Sequence, residues 1–184
     1  MDRQQFWDMV EAAKSGSGGN CSRQAELVRE ALQELSIDDI VSFDRILGQL
    51  QAESYRADLW AAAYLIHGGC SDDGFEYFRG WLIAQGRELF ESVLYDPDLL
   101  ASRPEVLDGP DPSRNLWCEK ILGVADAAFE AVTGREPTVD DFDIINDMPD
   151  PAVAPDWSVR DIDEVARGLP HLWELFGKPD QHTK

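Results

Sequence analysis

Positive charge is scarce in this sequence. Its 184 residues hold 16 Lys and Arg against 36 Asp and Glu, a formal net charge of −20. A surface that neutralises phosphates needs clustered basic side chains, so nucleic acid and anionic membranes are excluded as partners. Cysteine is scarce as well: Cys21, Cys70 and Cys118 are odd in number, far apart and without a CxxC pair. They point neither to a disulfide framework nor to a four-cysteine zinc site. The chain does not open with a basic segment followed by an apolar core, so no signal peptide is expected. The longest apolar stretch, Leu59 to Ile66, is far short of the ~20 residues that span a bilayer. A reducing cytoplasm is the expected location. A P-loop, a dinucleotide fingerprint, an HExxH zinc motif and a GxSxG elbow are all missing, so no recognised catalytic motif marks the chain. Period-2 alternation bounded by hairpin turns is missing too, and with it any sign of a sheet.

What is there reads as helix. Hydrophobic residues make up 43% of the chain, enough to form a core and to argue against wholesale disorder. Residues 2–13 form an amphipathic stretch with Phe6, Trp7 and Val10 on one side, followed by a linker-like Ser15 to Gly19. A second helix is expected over 22–34. Ser36-Ile37-Asp38-Asp39 is a capping box that opens a third, carrying Ile40, Phe43, Leu47 and Leu50. A continuation or separate helix over 52–66 ends at Gly68-Gly69. Ser71 or Asp73 caps the next, which reaches Gly86 or Leu94. The proline-rich stretch 96–112 reads as loop. Residues 116–132 read as one helix, and capped starts at Thr138 and Ser158 and a Pro170 start complete the count. The expected fold is mainly α, a bundle of about seven to eight helices with little or no sheet. Length suggests one domain with a small appendage.

Leu59-Trp60-Ala61-Ala62, Gly68-Gly69-Cys70-Ser71-Asp72-Asp73, Phe78-Arg79-Gly80-Trp81-Leu82-Ile83 and Gly86-Arg87 follow one another closely. With Phe6-Trp7 before them and Asp96-Pro97-Asp98 after, they resemble the pattern of DUF4240, a bacterial domain family of unknown function. The resemblance covers roughly residues 2–133. It implies a helical domain over 1–133 followed by an acidic extension, 134–184, packed on it. It implies no reaction.

Within this segment Asp72, Asp73, Glu76 and Arg79 lie where a glycine-rich loop enters a helix. Spacings of three and four bring two or three carboxylates to one face. They could hold a hard cation or work as acid and base with Arg79 clamping an anion. Helix capping and an ordinary ion pair account for the same spacing. His67 and Cys70 form an HxxC pair without companions, so no metal and no cofactor is expected. The aromatics Trp60, Tyr64, Phe75, Tyr77, Phe78 and Trp81 fall at helical spacing and read mostly as core. Tyr77 and Trp81 lie off the Phe75/Phe78/Leu82 face, and are the pair expected to line a pocket or partner groove.

Negative charge is uneven. Ten acidic residues lie between Glu136 and Glu164 against the single base Arg160, so 29 residues carry −9 of the −20. Solvation and helix capping explain much of it, and docking of a basic protein partner is the functional reading. Two functions are therefore expected to compete. One is a non-enzymatic interaction or regulatory protein that presents an acidic face and the Tyr77/Trp81 ridge. The other is a small hydrolase or ligand-binding enzyme centred on Asp72, Asp73, Glu76, Arg79 and His67.

Overall fold

The computed structural model describes residues 1–107, 116–138, 140–142 and 162–177. Among them are ten α-helices, two short 3-10 helices and no strand. Four of the first five helices begin at a side chain that satisfies an otherwise orphaned amide. Asp2 opens α1 (Arg3–Ser17) with a full capping box to Gln5. Asn20 opens α2 (Cys21–Gln33) and Ser36 opens α3 (Ile37–Glu53). Helix α4 (Ala57–His67) ends at Gly68, whose φ of 66° is the left-handed conformation that favours glycine. Ser71 caps α5 (Asp72–Ala84), accepting from the Gly74 amide at 3.1 Å. Gly86, at φ 94°, separates α5 from α6 (Arg87–Tyr95).

Three expectations change here. Ser15, Gly16 and Ser17 belong to α1, with the turn confined to Gly18-Gly19. The 96–112 loop contains a 3-10 helix, Pro97–Ser102, and the single turn α7 (Pro104–Leu107). The long helix expected over 116–132 shrinks to α8 (Val124–Thr133), because Leu116 to Cys118 are irregular and lead into a 3-10 turn, Glu119–Ile121. Of the later capped starts, Thr138 leads into a turn over 140–142, and Ser158 lies outside the described residues. The Pro170 start is α10 (Pro170–Phe176), preceded by α9 (Ile162–Gly168).

Helix α5 is the centre of the packing. Phe75, Phe78, Leu82 and Ile83 are fully enclosed, and Gly74, Arg79, Gly80, Trp81 and Ala84 are buried around them. Phe6 packs on Phe43 with ring centres 4.5 Å apart, and Trp7 on Phe90 at 5.5 Å, tying α1 to α3 and α6. Each such enclosed ring contributes about 1.5–3 kcal/mol by leaving water. Gln24, buried on α2, donates its amide to the carbonyls of Val10 (3.2 Å) and Ala84 (2.8 Å). One side chain thereby joins α1, α2 and the end of α5.

Two long-range links were not foreseen. Cys21 and Cys118 are joined by a disulfide, their Cα atoms 5.7 Å apart across 97 residues of sequence. This corrects the expectation that the cysteines form no disulfide framework; only Cys70 is free. Asp98, buried in the 3-10 helix after α6, accepts from the amides of His171 (3.1 Å) and Leu172 (2.9 Å) and fixes the first turn of α10. Leu169 and Leu172 are buried beside it.

Candidate functional site

The residues singled out on α5 point in two directions. Asp72 faces α3 and α4, where its Oδ1 accepts from the Tyr55 hydroxyl at 3.3 Å. Arg79, seven residues on, returns to the same face of α5, and both side chains meet Tyr55. Its Nη1 donates to the Gln51 carbonyl at 2.7 Å and its Nε reaches the Phe75 carbonyl at 3.4 Å. The guanidinium also covers the Tyr55 and Phe75 rings at 4.7 and 5.0 Å. Burial pulls Arg79 below its ordinary basicity, while Glu76, Tyr55 and Asp72 pull it back. It is thus engaged with backbone oxygens and rings, and its nearest charges act at a distance. Asp73 and Glu76 are exposed, and Ser71, rather than Asp73, supplies the cap. The four charged residues do not converge on one cleft.

Tyr77 and Trp81 face the other way, into a groove of about 810 Å³ whose walls are α2 and the segment from Leu116 to Lys120. Trp117, more than a third exposed, stands opposite them, with Glu105 and Glu119 at the rim. A second hollow continues past Tyr77, Glu119 and Lys120 to Glu26, Arg29 and Glu76. Lys14, at the far end of the first, donates to the Gln85 carbonyl at 2.9 Å. The Tyr77 phenol is raised above its ordinary pKa, first by the Glu119 charge, then by desolvation and a Glu119 hydrogen bond, with Asp73 and Glu76 adding to it. The carboxylates that act on this phenol are thus those of Glu119, Asp73 and Glu76, while Lys14 and Lys120 also line the groove.

Local sequence explains why the groove exists. The Cys118 amide donates to the Tyr77 carbonyl at 2.9 Å. A Cβ placed on Gly80 would come within 2.7 Å of the Cys118 carbonyl oxygen, so only glycine lets the 116–121 segment lie this close to α5. The disulfide fastens the same segment to α2. His67 sits behind the wall, its Nε2 accepting from the Trp117 indole at 3.1 Å. Tyr77 and Trp81 thus line the groove, Glu76 lines the second hollow beside it, and His67 supports one of the groove's walls; Asp72, Asp73 and Arg79 line neither hollow. Trp117, Glu119 and Lys120 were not marked by any sequence motif. They reach the site through a contact with α5 forty residues upstream. Among the described residues no group of three or more His, Cys, Asp or Glu is placed to hold a metal ion, and no helix is long and apolar enough to cross a membrane.

Neither the curated proteins nor the solved structures hold a match to this chain. A family model, that of DUF4240, a protein family of unknown function, matches residues 1–131, which contain α1 to α7 and most of α8. The dense motifs from Leu59 to Asp98 fall on α4, α5, α6 and the 3-10 helix after it, and on that match the chain belongs to the DUF4240 family.

Proposed function

We propose that this protein is an interaction or regulatory protein that takes a basic segment of a protein partner in the Tyr77/Trp81 groove. The observation that carries the reading is the charge around Tyr77, where Glu119, Asp73 and Glu76 act on one phenol beside two indoles. A Lys or Arg side chain gains there both from carboxylates and from aromatic faces. The chain's net charge of −20 adds long-range attraction for the same kind of partner. The acidic stretch 136–164, most of which lies outside the described residues, belongs to this proposal as a second docking surface. Nothing in the placement of Asp72, Asp73 and Arg79 favours the hydrolase alternative at that cluster.

Titration of the full chain with an Arg/Lys octapeptide, followed by Trp fluorescence and calorimetry, tests the reading. Tyr77→Ala, or Glu76→Gln with Glu119→Gln, should weaken binding about tenfold. A charge-matched Glu88→Gln/Glu130→Gln control should bind within twofold of the wild type. Equal loss in both double variants would reduce the effect to net charge and overturn the groove assignment. The expected cytoplasmic location is part of the same proposal. In a reducing compartment the Cys21–Cys118 bond would be open, so acid quenching of intact cells followed by alkylation in denaturant should label both cysteines, and an unlabelled pair would refute the location.

A further inference from the structure

We infer that Asp98 and His171 form a second, independent site, a general-base dyad that hydrolyses small carboxylic esters. The two residues lie 73 apart, and one comes from the family-matched segment while the other comes from α10 beyond it. The Asp98 carboxylate is buried, and its Oδ2 stands 2.6 Å from His171 Nδ1. The same carboxylate accepts the backbone amides of His171 and Leu172. One buried anion therefore holds both the imidazole and the peptide that bears it. With the Nδ1 proton donated to Asp98, the Nε2 lone pair faces outward, the tautomer a general base needs.

The outward edge of the ring is open, since 77% of the His171 side chain is exposed. It borders a cleft of about 440 Å³, within the range of small-ligand sites. Leu99, Ala101 and Pro170 give the cleft an apolar wall, and Asp96 and Asp98 give it charge, with no Lys or Arg among its described lining residues. Phosphates and carboxylates are poorly suited to such a cleft, and a neutral acyl compound suits it well. The Ser102 hydroxyl also lines it but donates to the Leu99 carbonyl at 2.9 Å, so water is the nucleophile.

The step balances without a cofactor. Water gives a proton to His171 Nε2 as its oxygen bonds to the ester carbonyl carbon. The tetrahedral oxyanion then collapses, the acyl C–O bond breaks, and the leaving alkoxide takes the proton back from Nε2. A carboxylic acid and an alcohol result. Asp98 is a positioning residue throughout, keeping Nδ1–H bound and stabilising the transient imidazolium.

The test is hydrolysis of p-nitrophenyl acetate by the full chain. The expected result is saturation with substrate and a loss of at least tenfold in kcat/KM for His171→Gln, a change at an exposed side chain. Asp98→Asn should lower kcat by a similar factor with KM within twofold, and the double variant should be no slower than His171→Gln alone. A rate linear in ester and equal to that of free imidazole would overturn the proposal. So would loss with His171→Gln but not with Asp98→Asn, which is the chemistry of an isolated surface histidine. The Tyr77 and Glu119 variants do not touch this cleft, so its failure and the failure of the groove are separate results.

Discussion

The Trp117 indole donates its proton to Nε2 of His67 across 3.1 Å, between residues 50 apart in sequence. Only a neutral imidazole can accept there, and burial also lowers the His67 pKa from its ordinary 6.5. In the unfolded chain the ring binds a proton at about pH 6.5; in the folded chain it does so only at lower pH. The stability this contact contributes is therefore complete above 6.5 and is lost as pH falls from there through the folded value. His67→Gln keeps an acceptor for Trp117 and does not titrate. The difference in unfolding free energy between wild type and variant, measured by urea titration, should shift in the variant's favour as pH falls from 7.5 to 5. A difference constant with pH would refute this.

Asp44 titrates with the opposite sign. Burial, aided by the Asp126 charge facing it from α8, raises its carboxyl from 3.8 to about 6. Above pH 6 the folded protein holds a desolvated anion, and that cost disappears between 6 and 3.8 as the carboxyl takes a proton. Asp44→Asn should stabilise the protein at pH 8 by on the order of 1 kcal/mol, after screening by the solvent that still reaches this half-buried group. A rise of about 2–4 °C in Tm at pH 8, with almost none at pH 4, is the expected readout.

Two glycines in helices should respond to alanine with opposite signs. At Gly80 the added methyl meets the Cys118 carbonyl at 2.7 Å and Leu122 at 3.2 Å, so Gly80→Ala should destabilise by about 1–3 kcal/mol. At Gly48, inside α3, nothing lies within 4 Å of the added carbon. Gly48→Ala should stabilise by about 0.5–1 kcal/mol through helix propensity and a less free unfolded chain. Denaturant midpoints measured side by side decide both.

Thiol chemistry gives a fourth check. Denatured without reductant, the chain should release one titratable thiol, Cys70, since Cys21 and Cys118 are bonded. Burial pushes Cys70 up to about 11. Its alkylation in the folded protein at pH 8 should then be about a hundredfold slower than in urea. Cys21→Ser/Cys118→Ser should lower stability by about 2–4 kcal/mol, seen as an earlier urea midpoint.

The α1 to α5 helices were legible because their signals are local. Asp2, Asn20, Ser36 and Ser71 stand one residue ahead of the helices they cap, and Gly68 one residue behind. The Tyr77/Trp81 side of α5 could be read too, since both fall off the face that carries Phe75, Phe78 and Leu82. What stayed hidden depends on chain return. Cys118 lies 97 residues from Cys21, His171 lies 73 from Asp98, and neither spacing carries periodicity. The failed 116–132 helix has the same cause: the Cys118 amide bonds to the Tyr77 carbonyl on α5, and that contact outweighs the segment's own helical pattern.

The Cys21–Cys118 bond encloses α2, α3, α4, α5, α6 and α7 in one covalent ring. A single backbone cut anywhere between those cysteines leaves the pieces joined, and the chain keeps its mass until a reductant opens the ring. A nicked molecule would therefore retain both walls of the groove on one covalent body. Loss of either wall needs two events, a cut and a reduction, and a protease alone supplies only one.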